Sequence, residues 1–170
     1  MSMFRTNGAR AAGIVRGFVL TSALYFFVAV FATTAFAADE ANTGGDGVAI
    51  HGYDPVAYFD PGKPVKGSAT FTARHLDITY WFSSAENLAT FNSNPVKYAP
   101  AYGGWCSYGV RVGKKFDIDP AAFKVVNGRL FMQLDLGTQM VWRKDLQKNI
   151  EIADRLWPRI ASVPAKLLGE

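Results

Sequence analysis

The stretch that decides the fold is residues 79–110, which read TYWFSSAENLATFNSNPVKYAPAYGGWCSYGV. It opens with β-branched and aromatic residues, which favour a strand. Ser83-Ser84-Ala85-Glu86 then fits a capping box, in which a serine oxygen and a glutamate satisfy the free N–H groups at a helix start. Asn94-Pro95 repeats that signal, because Asn caps a helix and Pro is tolerated in its first turn. We therefore expect a strand followed by two capped helices.

Two hairpins are expected on either side of these helices. Residues 69–74 pair with residues 78–82 across His75-Leu76-Asp77, since both segments are rich in β-branched and aromatic side chains. Residues 125–131 form the second hairpin, because Asn127-Gly128 supplies the positive φ angles of a type I′ turn.

The C-terminal part adds helical signals. Asp119-Pro120 predicts a further capped turn. Apolar residues at three- and four-residue spacing predict one helix over residues 138–157, which Pro158 ends. The whole pattern indicates an α+β fold, a compact single domain of β-hairpins and short capped helices with a longer C-terminal helix. No internal repeat is evident in the sequence.

The N-terminus has the pattern of an export signal. A leader with three arginines and no acidic residue precedes an apolar run over residues 17–32, and Ala35-Phe36-Ala37 supplies a cleavage site. We predict a signal peptide over residues 1–37 and a protein exported to the periplasm or secreted. An uncleaved membrane anchor is the alternative, because an apolar stretch of about 20 residues is long enough to span a bilayer.

Removal of the leader leaves a nearly neutral chain. Three of the 18 Lys and Arg residues, but none of the 14 Asp and Glu residues, precede residue 38, so 15 basic and 14 acidic groups remain. These charges are interspersed, whereas nucleic-acid binding needs a clustered basic face. Residues 38–47 are polar and Gly-rich and predict a flexible linker. Residues 48–160 form the predicted domain, followed by a tail over residues 161–170.

Cys106 is the only cysteine, and it lies in the Gly- and aromatic-rich segment 102–109. An unpaired cysteine in an exported protein suggests a reactive thiol, a metal ligand or an intermolecular bridge. A small buried hydrophobic residue is the alternative. If residues 105–110 are helical, Cys106 lies in the first turn, where backbone N–H groups lower a thiol pKa. Without a Cys-x-x-Cys motif, a resolving thiol must come from another molecule.

Further ligands for a metal at Cys106 are few. His51 and His75 are the only histidines, and a Cys with two His side chains suits copper. Each also fits an exposed surface position. Asp54 is expected to brace the turn before Pro55 through its side chain. The candidates for lining a site around the thiol are Tyr53, Asp54, Tyr102, Gly103, Gly104, Trp105 and Tyr108.

The order of motifs resembles the exported, single-cysteine branch of the YHS domain family. The resemblance covers residues 48–160 and is carried by GYDPVAYF, by the segment 79–110, by VVNGRLFMQL and by a final ADRLWP. It implies a compact α+β fold in which a hairpin and the following short helix form one unit. It also implies association with metals, since many YHS domains are attached to copper transporters or other metal-handling proteins.

The sequence departs from the metal-binding members of that family at the strand–helix junction. Those members typically read F-C-S-x-x-C, whereas Ser83 and Asn87 stand at the two cysteine positions here. Hydroxyl and amide groups do not replace thiolates as ligands of Cu(I). We therefore expect Ser83 and Asn87 to act in the helix cap, and Cys106 to be the replacement ligand.

Three hypotheses follow. The first is an exported, non-catalytic YHS-like binding module with a site for copper or another thiophilic metal centred on Cys106. The second is a thiol-dependent redox protein that uses Cys106 with an external partner thiol. The third is a scaffold domain in which Cys106 is inert and buried. No nucleophile motif predicts catalytic residues, and nucleic acid is not an expected partner.

Overall fold

The computed structural model describes residues 41–168, and the predicted signal peptide lies outside these residues. Within this range the chain forms the predicted α+β fold, with five α-helices and two small antiparallel sheets. Its strands and helices are β1 Ser68–His75, β2 Ile78–Phe82, α1 Ala85–Ser93, α2 Pro95–Tyr98, α3 Ser107–Arg111, β3 Asp119–Val126, β4 Arg129–Gln133, α4 Leu136–Arg143 and α5 Leu146–Ile160.

Both predicted hairpins are confirmed. β1 pairs antiparallel with β2, and β3 pairs antiparallel with β4. Asn127 and Gly128 have φ angles of 50° and 73°, as the Asn-Gly signal predicts. Leu76 and Asp77 adopt the same conformation, with φ angles of 50° and 62°. The first hairpin thus makes its turn without the glycine that this geometry usually favours.

The starts of the helices follow local capping chemistry. The Ser84 hydroxyl accepts a hydrogen bond from the Asn87 N–H at 3.1 Å, and the Asn94 side chain accepts one from the Lys97 N–H at 3.2 Å. The capped turn predicted at Asp119-Pro120 is different. Asp119 accepts a hydrogen bond from the Ala121 N–H at 2.8 Å, but the chain continues as strand β3 because it pairs with β4.

The single C-terminal helix predicted over residues 138–157 is two helices, α4 and α5. Asp145 separates them with φ −139° and ψ 59°, and the Asn149 side chain donates to the Trp142 carbonyl at 2.7 Å across the break. Pro158 lies inside α5 and does not end it. Burial of Ile160 against the core favours continuation of the helix past the proline.

Two hydrophobic clusters stabilise the domain. The first gathers around Phe82, Phe91 and Leu130, and it includes Cys106. The second gathers around Phe131 and Trp142 and holds the apolar face of α5. Both hairpins therefore contribute side chains to the interior.

The ends of the described region are attached to this core. Asn42 is buried, and its N–H donates to the Gly103 carbonyl at 2.8 Å, so the predicted flexible linker is wrong for this residue and for buried Ala41. Hydrogen bonds hold Asn42 against the domain, because its side-chain amide also donates to Asp117 Oδ1 at 2.7 Å. In the tail, Lys115 Nζ donates to the Ala161 carbonyl at 2.6 Å. From residue 41 to residue 168, no helix has the length and apolar character needed to cross a membrane.

Candidate functional site

Cys106 is a fully buried residue at the N-cap of α3, one position before the predicted first turn. Its sulfur accepts a hydrogen bond from the Gly109 N–H at 3.4 Å and lies 3.6 Å from Gln133 Oε1. Burial raises the pKa of the Cys106 thiol, and the N–H groups of Gly109, Leu134 and Tyr108 lower it by less. The protonated thiol therefore prevails at neutral pH, in contrast to the lowered pKa expected for a helical first turn.

The two histidines interact with other parts of the domain. His51 Nε2 lies 2.8 Å from Asp117 Oδ1, and the His75 ring packs edge-on against Phe91 with centroids 6.3 Å apart. Among residues 41–168, no group of three or more His, Cys, Asp or Glu side chains is arranged to hold a metal ion. Cys106, His51 and His75 accordingly do not form a common metal site in the described part of the chain.

Asp54 is the most highly connected of the predicted site residues. Its side chain is buried, and Oδ1 accepts hydrogen bonds from the Val56 N–H at 2.9 Å and the Ala57 N–H at 3.4 Å. The predicted turn brace before Pro55 is therefore confirmed. Oδ2 accepts from the Ser83 N–H at 2.8 Å, the Ser83 hydroxyl at 2.6 Å and the Asn87 amide at 2.6 Å.

These contacts correct the prediction that Ser83 and Asn87 cap helix α1 with their side chains. Ser84 is the cap, and the side chains of Ser83 and Asn87 donate to the Asp54 carboxylate. The reason is the cost of a buried carboxylate, which must be compensated by hydrogen-bond donors. Ser83 and Asn87 thus surround an acidic side chain.

The left-handed turn Ala101–Gly104 contains three of the remaining candidates. Tyr102, Gly103 and Gly104 have φ angles of 56°, 61° and 84°. The Tyr102 hydroxyl donates to Asp154 at 2.8 Å, and Gly104 packs close to Ile50. Tyr102 and Gly104 therefore stabilise the fold.

Aromatic candidates outside that turn stack on cations. Lys66 Nζ lies 4.7 Å from the centroid of the Tyr53 ring, and Lys115 Nζ lies 5.7 Å from that of Trp105. The Arg111 guanidinium is 5.4 Å from the Tyr108 ring. Such contacts stabilise by about 0.5–1 kcal/mol when exposed and by more when desolvated.

A cleft that the sequence does not predict lies at the tip of the first hairpin. It has a volume of about 810 Å³. Residues 74–80 form one wall, residues 96–103 form parts of another, and Arg129 and Trp157 reach it from the C-terminal half. Gly103 is the one candidate from the sequence, apart from His75, that borders it. Because these segments are far apart in the chain, no local motif marks the cleft.

The cleft combines apolar and positively charged side chains. Arg74, Lys97 and Arg129 border it, together with a single carboxylate, Asp77. Arg74 pairs with Asp77 at 3.3 Å on the exposed surface, and such surface pairs contribute little stability. The Arg129 guanidinium forms an ion pair with the Asp154 carboxylate at 2.8 Å.

Lys97 and the apolar residues complete the lining of the cleft. Lys97 Nζ lies 3.1 Å from the Tyr98 hydroxyl, and in the described residues no ion pair of Lys97 is found. Val96 is 79% exposed at the rim, although its side chain is apolar, and Leu76 is 55% exposed. The cleft therefore offers positive charge next to apolar surface.

Comparisons of the chain with protein-family models, with curated proteins and with solved structures gave no match. The resemblance to the YHS domain family thus stays a prediction from the sequence motifs.

Substitution of Asp54 tests the buried carboxylate. Asp54→Ala removes the acceptor of five hydrogen bonds, and buried donors left without an acceptor cost about 1–3 kcal/mol. We expect a loss of that size in the free energy of unfolding, measured by urea denaturation. Asp145→Asn is the control, because Asp145 is exposed and makes no side-chain cap bond. Equal effects of the two substitutions would contradict the assignment.

Alkylation tests the burial of the thiol. We expect iodoacetamide to modify native Cys106 slower than an exposed cysteine by on the order of a hundredfold or more, because reaction needs local or global opening. Ser93→Cys in a Cys106→Ser background provides the exposed reference. In urea both thiols should react at similar rates. Equal alkylation rates of Cys106 and the Ser93→Cys thiol in the native state would contradict the burial of Cys106 and support the reactive-thiol hypothesis.

Proposed function

We propose that this protein is an exported, non-catalytic binding module that takes a small amphipathic anion into the cleft beside the first hairpin. The observation that carries the proposal is the cleft itself, about 810 Å³ in volume and bordered by Arg74, Lys97 and Arg129. Sites for small molecules commonly have volumes of about 300–1,000 Å³ and combine apolar walls with a few polar groups. Export rests on the leader pattern in the sequence.

The chemistry of the lining favours a carboxylate joined to an apolar body. Arg74 offers a planar guanidinium, which suits a carboxylate, and Lys97 offers a point charge. Leu76 and Ile78 in the hairpin wall and exposed Val96 supply apolar surface for the rest of the ligand. A ligand carboxylate would have to replace Asp77 as the partner of Arg74. This replacement costs little free energy, because the Arg74–Asp77 pair is exposed and contributes little stability.

A non-catalytic function fits the groups that border the cleft. Its one histidine, His75, packs on Phe91. General base catalysis needs a base within hydrogen-bond reach of the group it deprotonates and a partner that orients it. The contacts of His75 give it a packing function instead.

The thiophilic-metal and thiol-redox hypotheses both require the Cys106 sulfur to meet a ligand or a second thiol. Its complete burial and raised thiol pKa favour the third hypothesis, an inert cysteine inside the domain. The proposed function keeps the binding module of the first hypothesis and moves the site from Cys106 to the cleft.

Calorimetric titration with octanoate and decanoate tests the proposal, with octanol as the neutral probe. We expect both carboxylates to bind, and decanoate to bind more tightly, because each added buried CH₂ contributes about 0.8 kcal/mol. Arg74→Gln and Lys97→Gln should each weaken carboxylate binding by about tenfold, since hydrogen bonds to charged groups contribute about 1.5–3 kcal/mol.

Lys148→Gln is the matched control, because Lys148 is exposed and does not border the cleft. It should leave the affinity unchanged. Absence of heat with both carboxylates, or equal affinity of the Arg74→Gln, Lys97→Gln and Lys148→Gln proteins, would reject the cleft as the site.

A further inference from the structure

The two halves of the domain share a series of elements in the same order, although only the second half has a helix, α3, between the turn and the hairpin. Each half has a left-handed turn, an antiparallel hairpin and a helix with a side-chain cap. The left-handed turns are Ala49–Gly52 and Ala101–Gly104. A shift of 51 or 52 in residue number relates the corresponding residues of the two halves.

The strand registers agree at every pair. When 51 is added to both numbers of each β1–β2 pair, the result is a β3–β4 pair, from Ser68↔Phe82 and Asp119↔Gln133 to the pairs next to the turns. The irregularity in the register also recurs at the same place. A shift of one residue would move every side chain to the opposite face, so this agreement is a strict geometric match.

The helix caps obey the same shift. The Ser84 hydroxyl accepts from the N–H three residues later at 3.1 Å, and Asp135, 51 positions further on, does the same at 2.6 Å. The residues before α2 and α5 are also related: Asn94 has φ −156° and ψ 74°, and Asp145 has φ −139° and ψ 59°.

The left-handed turns are related by a shift of 52. Tyr53 N–H donates to the Ile50 carbonyl at 3.1 Å, and Trp105 N–H donates to the Tyr102 carbonyl at 3.2 Å. Non-glycine residues seldom adopt positive φ, yet Ile50 and Tyr102 have φ angles of 44° and 56° at corresponding positions.

In this correspondence Cys106 is the counterpart of Asp54, 52 positions later in the chain. The Asp54 N–H donates to the Val65 carbonyl at 2.9 Å, and the Cys106 N–H donates to the Phe116 carbonyl at 3.0 Å. Both residues are fully buried.

The side chains of the two residues also accept from matching backbone groups. Asp54 accepts from the N–H groups two and three residues later and from that of Ser83. The Cys106 sulfur accepts from the Gly109 N–H, three residues later, at 3.4 Å. The N–H of Leu134, which lies 51 positions after Ser83, lowers the pKa of the Cys106 thiol, whereas the Tyr108 N–H donates to Gln133 Oε1 at 3.2 Å.

We infer that the domain consists of two copies of one turn–hairpin–helix unit, and that the Cys106 sulfur holds the second copy together as the Asp54 carboxylate holds the first. Cys106 thereby receives a structural function as an interior hydrogen-bond acceptor. The expectation that the chain has no internal repeat is corrected. The repeat is hidden because corresponding buried positions carry different residues, such as Phe91 and Trp142.

The copies differ in the length of their last helix. α2 has 4 residues, whereas α5 has 15 residues and packs on Phe131 and Tyr102. The counterpart of Phe131 is Tyr80, which borders the cleft. Tyr80 is nevertheless buried, because its ring packs on Phe91 with centroids 5.0 Å apart.

Transplanting the Asp54 contacts into the second copy tests this inference. Cys106→Asp alone introduces a buried carboxylate without counterparts of the Ser83 hydroxyl and the Asn87 amide. Leu134→Ser and Thr138→Asn, at the positions 51 residues after Ser83 and Asn87, supply them. Urea denaturation of wild type, Cys106→Asp, Leu134→Ser/Thr138→Asn and the triple variant completes a double-mutant cycle.

We expect Leu134→Ser/Thr138→Asn to raise the folding equilibrium constant at least about tenfold more in the Cys106→Asp background than in wild type, because coupling within one hydrogen-bond network reaches this size. In the control triple variant, Met140→Asn replaces Thr138→Asn, and exposed Met140 has no counterpart in the Asp54 network. The control should not restore stability to the same extent.

A coupling factor near one, or equal restoration by the control, would overturn the correspondence. If Cys106→Asp alone does not fold, folding of the triple variant supports the inference and its failure to fold contradicts it. The experiment measures unfolding without any ligand, so its outcome is independent of whether octanoate or decanoate binds in the cleft.

Discussion

The Asp54 carboxylate connects three parts of the first half of the domain from a position without solvent contact. Its two oxygens accept from the turn at Val56 and Ala57, from the end of β2 at Ser83 and from helix α1 at Asn87. A carboxylate can stay buried only if donors replace its hydration. The donors in turn require the carboxylate, because buried backbone N–H groups of a turn and a strand end need an acceptor. The hairpin, the turn and the helix are therefore fixed relative to one another.

In the second half the Cys106 sulfur is the interior acceptor of a backbone N–H group, and its hydrogen bonds are weaker than those of a carboxylate. A neutral thiol is a poor acceptor, but it carries no charge that must be compensated, and it can be buried among apolar side chains at low cost. Its raised pKa is consistent with that function. The feature of the sequence that most suggests reactivity, a single cysteine in a glycine-rich segment, is then explained by packing and hydrogen bonding. The proposed ligand site is instead the cleft at the tip of the first hairpin, which Arg74, Lys97 and Arg129 border.

Local signals in the sequence predicted the local structure well. Asn127-Gly128 gave the second hairpin, and the serines before Ala85 gave the start of α1, because turn and cap chemistry depends on residues a few positions apart. The sequence failed where the partner is distant. The expectation that Ser83 caps a helix was wrong, because the acceptor of its hydroxyl, Asp54, lies 29 positions away in the chain. The break between α4 and α5 depends on a contact from Asn149 to Trp142. The cleft and the duplication are properties of three-dimensional arrangement and have no local motif.

Hydrogen exchange of the backbone amides, followed by NMR, tests most directly that Asp54 and Cys106 are corresponding interior acceptors. The amides of Val56, Ser83, Gly109 and Leu134 should exchange only through large-scale opening, with protection close to that of the central residues of the hairpins. Cys106→Ala should lower the protection of Gly109 and Leu134 more than that of Val56 and Ser83. Rapid exchange of Gly109 and Leu134 in the wild-type protein, beside slow exchange of Val56 and Ser83, would contradict the equivalence.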